Sequence, residues 1–279
     1  PPPPPPQVDK NNNLICAPLI RTTKQQTGFF TGLLTRMFLI LLTAITFTAC
    51  SNDSASPSSN LTTVVTTPVG TAGSLGSADG TGSVARFNNP FGITTDGTNL
   101  YVADSGNHTV RKIVISTGVV STVAGTAGSS GSTDGTGSVA RFYSPFGITT
   151  DGTNLYVADS GNHTVRKIVI STGVVTTLAG TAGSLGSADG TGSVARFNIP
   201  IGITTDGTNL YVADPGNHTV RKIVISTGVV TTLAGTAGSF GSADGTGPVA
   251  RFRYPSGITT DGTNLYVADT SNHTVRKIQ

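Results

Sequence analysis

"GITTDGTNLYVADSGNHTVRKIVISTGVVSTVAG" occupies residues 92–125, and within it apolar runs alternate with turn-forming clusters. "GITT" leads into Asp96-Gly97-Thr98-Asn99, the composition of a hairpin turn. "LYVAD" from Leu100 is a nearly continuous apolar run, as expected of a strand packed on both faces. Ser105-Gly106-Asn107 makes the next turn, "TVRKIVI" from Thr109 the next strand, Ser116-Thr117-Gly118 another turn, and "VVSTVAG" from Val119 the last strand. Four short strands joined by short turns read as one blade of a β-propeller.

The stretch returns with a period of 55 residues: "GITTDGTNLYVAD" starts at Gly92, Gly147, Gly202 and Gly257. Repetition on this scale signals supersecondary units that bury their faces against one another. Val64-Val65-Thr66-Thr67 matches Val229-Val230-Thr231-Thr232 three periods on, as a fourth strand with no first three before it. The last repeat holds three strands and stops at Gln279, where Val114, Val169 and Val224 stand in the other copies. The expectation is an all-β propeller over residues 61–279, with four four-stranded blades and the N-terminal strand completing the last blade. Closure of that kind hides sheet edges that otherwise invite aggregation.

Composition agrees with this reading. The 279 residues include 36 Gly, no Trp and only 11% charged side chains, and Val, Thr, Gly and Asp-Gly are suited to strands and tight turns. Lys and Arg outnumber Asp by 17 to 14 with Glu absent, but Lys10, Arg21, Lys24 and Arg36 lie ahead of the repeats. The repeats therefore hold 13 basic and 12 acidic residues, which gives no clustered basic face and excludes a nucleic-acid binder. Cys16 and Cys50 both precede the repeats, so neither a disulfide framework nor a cysteine zinc site is built into them.

The leader has its own organisation. Residues 1–36 begin with "PPPPPPQVDKNNN", a low-complexity stretch read as an uncertain start, with no structure over residues 1–20. Residues 37–49, after Arg36, form an apolar run of about 20 Å at roughly 1.5 Å per residue, too short for a hydrocarbon core of about 30 Å and laid out like a secretory signal. Phe47-Thr48-Ala49-Cys50 resembles a bacterial lipobox, with Phe47 where an aliphatic residue is usual. The resemblance implies lipidation of Cys50, an exported protein held at the cell envelope by that lipid alone, and, with Ser51 following, sorting to the outer membrane. The Ser-rich residues 50–60 read as a flexible tether.

"GTNLYVADSGNHTVRKI" resembles the NHL repeat, whose signature is an Asn-His pair entering a strand after an Asp. Asn107-His108, Asn162-His163, Asn217-His218 and Asn272-His273 match the pair, and Asp104, Asp159, Asp214 and Asp269 match the acid; Thr stands where the signature has Leu. The resemblance implies a platform that binds proteins or sometimes RNA, with metal-dependent lyases and lactonases among related propellers. NHL propellers usually have six blades, so part of a six-bladed ring is the alternative architecture.

Each candidate site has a bland and a functional reading. The Asp-x-x-Asn-His groups fix one turn per blade, with His108 packing against a neighbouring blade and bonding to it; the functional alternative, four imidazoles sharing one ion, fails because a second strand stands too far from the axis. Asp96, Asp151, Asp206 and Asp261 either make hairpin turns or ring the channel mouth around a hard cation such as Ca²⁺. The Gly-rich "GTAGSLGSADGTGSVARF" lacks the Lys of a phosphate loop and reads as an inter-blade loop, with Asp79-Gly80 as a turn and Phe87 plugging the gap between blades. No cofactor is expected beyond that possible cation. Catalysis has little to work with, and a lyase or lactonase would depend on the aspartate ring.

Function is then sought where the copies differ. Asn88, Tyr143, Asn198 and Arg253 share one position, Asn89, Ser144, Ile199 and Tyr254 the next, and Phe91, Phe146, Ile201 and Ser256 follow after Pro. Leu75, Ser130, Leu185 and Phe240 vary in the same loop, and Ser105, Ser160, Pro215 and Thr270 in the turn on the same face. Variable loops on a rigid scaffold are where binding resides, so the expected activity is capture of a protein or glycan, with a purely structural envelope role as a further alternative.

Overall fold

The computed structural model describes residues 63–279 and one small strand pair in the leader. In that pair β1 (Gln7–Val8) runs antiparallel to β2 (Leu14–Ile15), contrary to the expectation of no structure over residues 1–20. The signal segment, Cys50 and the tether lie outside the described residues.

Residues 63–279 form four antiparallel sheets, the blades of a propeller. The first holds β3 (Gly80–Thr81), β4 (Pro90–Thr95), β5 (Asn99–Asp104), β6 (Thr109–Val114) and β7 (Val119–Ala124). The second holds β8 (Gly135–Thr136), β9 (Pro145–Thr150), β10 (Asn154–Asp159), β11 (Thr164–Val169) and β12 (Val174–Ala179). The third holds β13 (Gly190–Thr191), β14 (Ile203–Thr205), β15 (Asn209–Asp214), β16 (Thr219–Val224) and β17 (Val229–Ala234). The fourth has β18 (Pro255–Thr260), β19 (Leu265–Asp269) and β20 (Thr274–Ile278).

The four strands read from "GITT", "LYVAD", "TVRKIVI" and "VVSTVAG" are β4 to β7, and they pair in that order. The Asp79-Gly80 segment departs from a simple turn: Gly80 and Thr81 pair with Val120 and Val119 as a two-residue edge strand. Gly80 lies at φ 146°, where a side chain is poorly tolerated, and a Cβ there would meet the Val84 side chain at 2.7 Å.

The core lies between blades. Tyr101, Ala103, Val110 and Ala124 of the first blade pack with Phe142, Ile148, Leu155 and Val157 of the second, and the same positions recur one period later. Each middle blade is thus covered on both faces, which is why "LYVAD" shows no alternation of apolar and polar residues. Phe142, Phe197 and Phe252 are buried at the blade junctions, as the plug reading of Phe87 expects of its copies.

The N-terminal strand does not complete the last blade, which corrects the expected closure. Among the described residues β20 pairs only with β19, and residues 63–67 form no strand. Gly70 N–H donates to Gly82 O at 3.0 Å, which holds this segment against the first blade. The inner strands β4, β9, β14 and β18 pack neighbour to neighbour in a row, and β18 does not pack beside β4 in the same way. The segment that would close the ring is therefore tied at one end of the row while the open edge lies at the other.

Candidate functional site

Each blade carries a buried polar knot at the turn between its second and third strands. Asp104 accepts from Asn88 N–H at 2.8 Å, from Asn107 Nδ2 at 2.7 Å and from the Arg111 guanidinium at 2.9 Å. Asn107 also donates to Gly76 O, and Arg111 donates to Arg86 O, Ala78 O and Asp79. One aspartate, one asparagine and one arginine thus tie the inter-blade loop to the blade it precedes. The same contacts recur around Asp159, Asp214 and Asp269 with Asn162, Asn217 and Asn272. The guanidinium also lies 5.1 Å from the Phe87 ring centroid, and from the Phe142, Phe197 and Phe252 rings in the other copies. Sequence reasoning did not assign the arginine. The available signal was a cation seven residues after the aspartate in every copy, inside an otherwise apolar strand.

The histidines join blades. His108, His163, His218 and His273 all adopt left-handed backbone angles, φ 57–60°, at the end of a one-turn 3-10 helix. His108 Nδ1 accepts from Ser144 N–H at 3.2 Å, His163 from Ile199 at 3.1 Å and His218 from Tyr254 at 3.3 Å. An imidazole that accepts at Nδ1 keeps its proton on Nε2. Burial lowers the pKa of His163, and burial together with the Arg253 charge lowers that of His218.

The hairpin aspartates serve their own turns. Asp96 accepts from Thr98 N–H and Asn99 N–H through one oxygen, and from the Asn99 amide and the Tyr101 hydroxyl through the other. Asp151, Asp206 and Asp261 do the same. The structure does not gather them into a ring: among the described residues no three His, Cys, Asp or Glu side chains lie close enough to share an ion.

These turns carry a pH signature. Burial alone would raise Asp206, but the Asn209 side chain and backbone, Thr208 N–H and the Tyr211 hydroxyl outweigh it and hold the carboxyl at about 2. Burial, then the Asp96 contact, pushes Tyr101 up to about 12. A depressed acid stabilises the fold above its unfolded pKa and loses that contribution as pH falls through the folded value; the raised tyrosine loses its contribution as pH rises. These turns should therefore keep the melting temperature flat near neutrality and lower it below about pH 4 and above about pH 10, against the opposite acid-side contribution of Asp159 and Asp214, which burial raises to about 6. Asp206→Asn should flatten the acid limb in thermal melts, and an unchanged limb would reject the assignment.

The positions that differ among copies lie at the blade junctions beside these histidines. Asn88, Tyr143, Asn198 and Arg253 each accept, through their carbonyl, the N–H of the turn residue Gly106, Gly161, Gly216 or Ser271. Asn89, Ser144, Ile199 and Tyr254 have φ 49–57°, a region uncommon for any non-glycine residue and an outlier for the β-branched Ile199. At Ser144, Ile199 and Tyr254 this conformation delivers the N–H to the histidine of the preceding blade. Phe91 and Phe146 meet edge to face at 4.6 Å.

One junction gathers more than the others. Around His218 lie Tyr254 at 4.8 Å and Phe240 at 5.7 Å between ring centroids, and the Arg253 guanidinium lies 5.3 Å from the Phe240 centroid. Phe240 is 62% exposed and Tyr254 53%. The equivalent junction of the first two blades has Tyr143 at 5.7 Å from His108, and the next presents Ile199 and Leu185, both exposed. Glycine at the facing turn position is required in three copies: a Cβ on Gly216 would lie 2.4 Å from the Asn198 side chain. Ser271 replaces it in the fourth, where Arg253 lies over Phe240 instead. The arrangement offers aromatic faces, a planar cation and rigid backing, which suits recognition.

The family model for the NHL repeat matches residues 252–278. NHL repeat-containing protein 2 from Gallus gallus is 31% identical over 73% of this chain and 32% of its own. A solved structure of unknown function from Bacteroides thetaiotaomicron is similar with a TM-score of 0.57 and 26% identity, over 68% of this chain and 47% of its own. An auxiliary nutrient binding protein from the same organism shares the fold with a TM-score of 0.56 and 21% identity, over 71% of this chain and 49% of its own. The chain thus spans about a third of the curated relative and about half of each solved structure.

Proposed function

We propose that this chain, an NHL-repeat β-propeller, is a non-enzymatic platform that captures a protein or glycan through the blade-junction loops. The observation that carries this reading is the cluster of Phe240, Arg253 and Tyr254 around His218. All three vary among otherwise uniform copies, and they leave aromatic surface exposed where Arg253 N–H donates to the buried Asp269, itself paired with Arg276. Aromatic residues and arginine on a rigid support are the residue types that dominate interface energetics. The Bacteroides nutrient binding protein supplies the fold comparison alone; its ligand is not carried over. In the same reading, the lipobox-like Phe47-Thr48-Ala49-Cys50 tethers the platform to the cell envelope through a lipid on Cys50.

The test uses the full chain immobilised against a glycan array and against envelope extract. Tyr143→Ala combined with Arg253→Ala and Tyr254→Ala should lower recovery of the bound partner about tenfold or more while leaving the circular dichroism spectrum unchanged. Recovery equal to wild type would reject the site. Labelling with a fatty-acid analogue should be lost in Cys50→Ala, and labelling that persists would reject the anchor.

A further inference from the structure

Among the described residues Arg253 is the one arginine whose guanidinium the chain leaves unbonded. Every other arginine there donates to an aspartate or to a carbonyl of its own loop. Arg253 donates only through its backbone N–H, to Asp269 at 2.7 Å. A second substitution sets the direction of its side chain. In the third blade Asn198 lies so close against Gly216 that a Cβ there would come within 2.4 Å of it, and the fourth blade carries Ser271 at the matching position. The Ser271 Cβ fills that space, so Arg253 cannot lie back on the turn and reaches over Phe240, 5.3 Å from the ring centroid.

The surface beside this cation is a shelf of two exposed rings on a buried one. Phe240 and Tyr254 stand at 72° and 81° to the imidazole of His218, which is buried and takes the Tyr254 N–H at Nδ1. Burial and the Arg253 charge lower the His218 pKa, so the imidazole is neutral at pH 7 and the positive charge of the shelf is that of Arg253. The exposure is a property of the junction. At junctions with a blade on both sides, Leu185 at the Phe240 position is 62% exposed, Tyr143 at the Arg253 position 47% and Ile199 at the Tyr254 position 46%.

The chemistry of the shelf selects its ligand. A guanidinium fork matches a carboxylate through two parallel hydrogen bonds. An aromatic face is electron-rich and attracts the C–H face of a saturated ring. Arg253 already covers Phe240, which leaves Tyr254 as the open platform. A ring with an apolar C–H face and a carboxylate on its rim meets both demands at once, and that is a hexuronic acid. An acidic peptide would draw its affinity from a strand edge or a groove beside the anchor, and residues 240–245 form no strand. We propose that this junction binds hexuronic acid residues of an acidic glycan, with the sugar ring on Tyr254, the carboxylate on Arg253 and Ser271 as the positioning residue. The proposal rests on the binding reading above and narrows it to one ligand class.

The probe is an oligogalacturonate titrated against the full chain by calorimetry, with its methyl ester and poly-glutamate alongside. The uronate should bind, and more weakly as salt is raised. The methyl ester keeps the ring without the charge and poly-glutamate keeps the charge without the ring, so each should bind about tenfold more weakly or worse. Arg253→Gln and Tyr254→Ala should each lower uronate affinity about tenfold or more with unchanged circular dichroism. Ser271→Gly should lower it about threefold in the wild-type background and not at all beside Arg253→Gln, because its effect runs through the arginine. A methyl ester that binds as tightly as the uronate, or an Arg253→Gln chain that binds as wild type, overturns the proposal. Poly-glutamate binding as tightly as the uronate overturns it in favour of an acidic peptide. A chain that takes no uronate, yet loses its extract partner when Tyr143, Arg253 and Tyr254 are replaced by alanine, keeps the platform reading and overturns this ligand class.

Discussion

Replacing Arg166 with methionine should destabilise the propeller by about 3–5 kcal/mol, read as a fall in the urea midpoint at pH 7. Arg166 and Asp159 are both fully buried and 2.9 Å apart. The guanidinium also donates to Arg141 O, Thr133 O and Asp134, so its loss strips the buried Asp159 and the half-exposed Asp134 of their counter-charge and leaves Arg141 O without its donor, while Thr133 O keeps Arg141 N–H. Burial already pushes the Asp159 carboxyl upward against the pull of Arg166. Without the cation the folded carboxyl takes up a proton more readily than the unfolded one, so the deficit should shrink as the pH is lowered toward 5. Combining Asp159→Asn with Arg166→Met should recover part of the loss, since no unpaired charge remains buried. The same change at Arg276 should cost clearly less, because Arg276 is partly exposed and its partner Asp244 is almost wholly so. Equal losses at Arg166 and Arg276 would show that the buried ion pair is not what holds the loop.

Gly147→Ala should cost about 3 kcal/mol while Gly257→Ala, the same change in the same local sequence, should fall within about 0.5 kcal/mol. A Cβ on Gly147 would lie 2.2 Å from Ile201 O and 3.2 Å from the backbone N and the side chain of Ile203. Both obstacles sit on the next blade, where neighbouring inner strands meet backbone to backbone and cannot yield by turning a side chain. Gly202 is bound the same way by Ser256 O, also at 2.2 Å. Among the described residues Gly257 has no further blade beside it, and a Cβ there meets only Ala268, at 3.4 Å. Melts would read the difference directly, and a loss at Gly257 as large as at Gly147 would place the constraint within the blade instead.

Much of this molecule was legible before its structure. The period, the four strands of each blade and the burial of the Phe87 copies follow from residue types and spacing, because strand and turn chemistry is local. The Asp-Gly pairs are turns for the same reason: Asp96 exhausts both oxygens on residues within five positions of it. The Arg111–Asp79 pair was not legible. Its partners are 32 residues apart, and nothing local distinguishes a buried arginine from one on a solvated strand face. The cluster around His218 was half legible. Variation among the copies marked Phe240, Arg253 and Tyr254, but they lie as far as 14 positions apart and on different segments, and only folding places them around one imidazole.

Closure was the expectation that failed, and its failure separates what the sequence decides from what the tertiary structure decides. By itself the sequence determined the blade, since four near-identical repeats dictate the same strand order in each sheet. It could not determine which copies of a residue are buried. Val110 and Val275 sit in the same motif, yet one is fully buried and the other 75% exposed. A blade's side chains are set by its own residues, but their environment is set by the blade next to it. Burial in a repeat array is a property of neighbours, and which blade stands beside which is decided only when the chain folds.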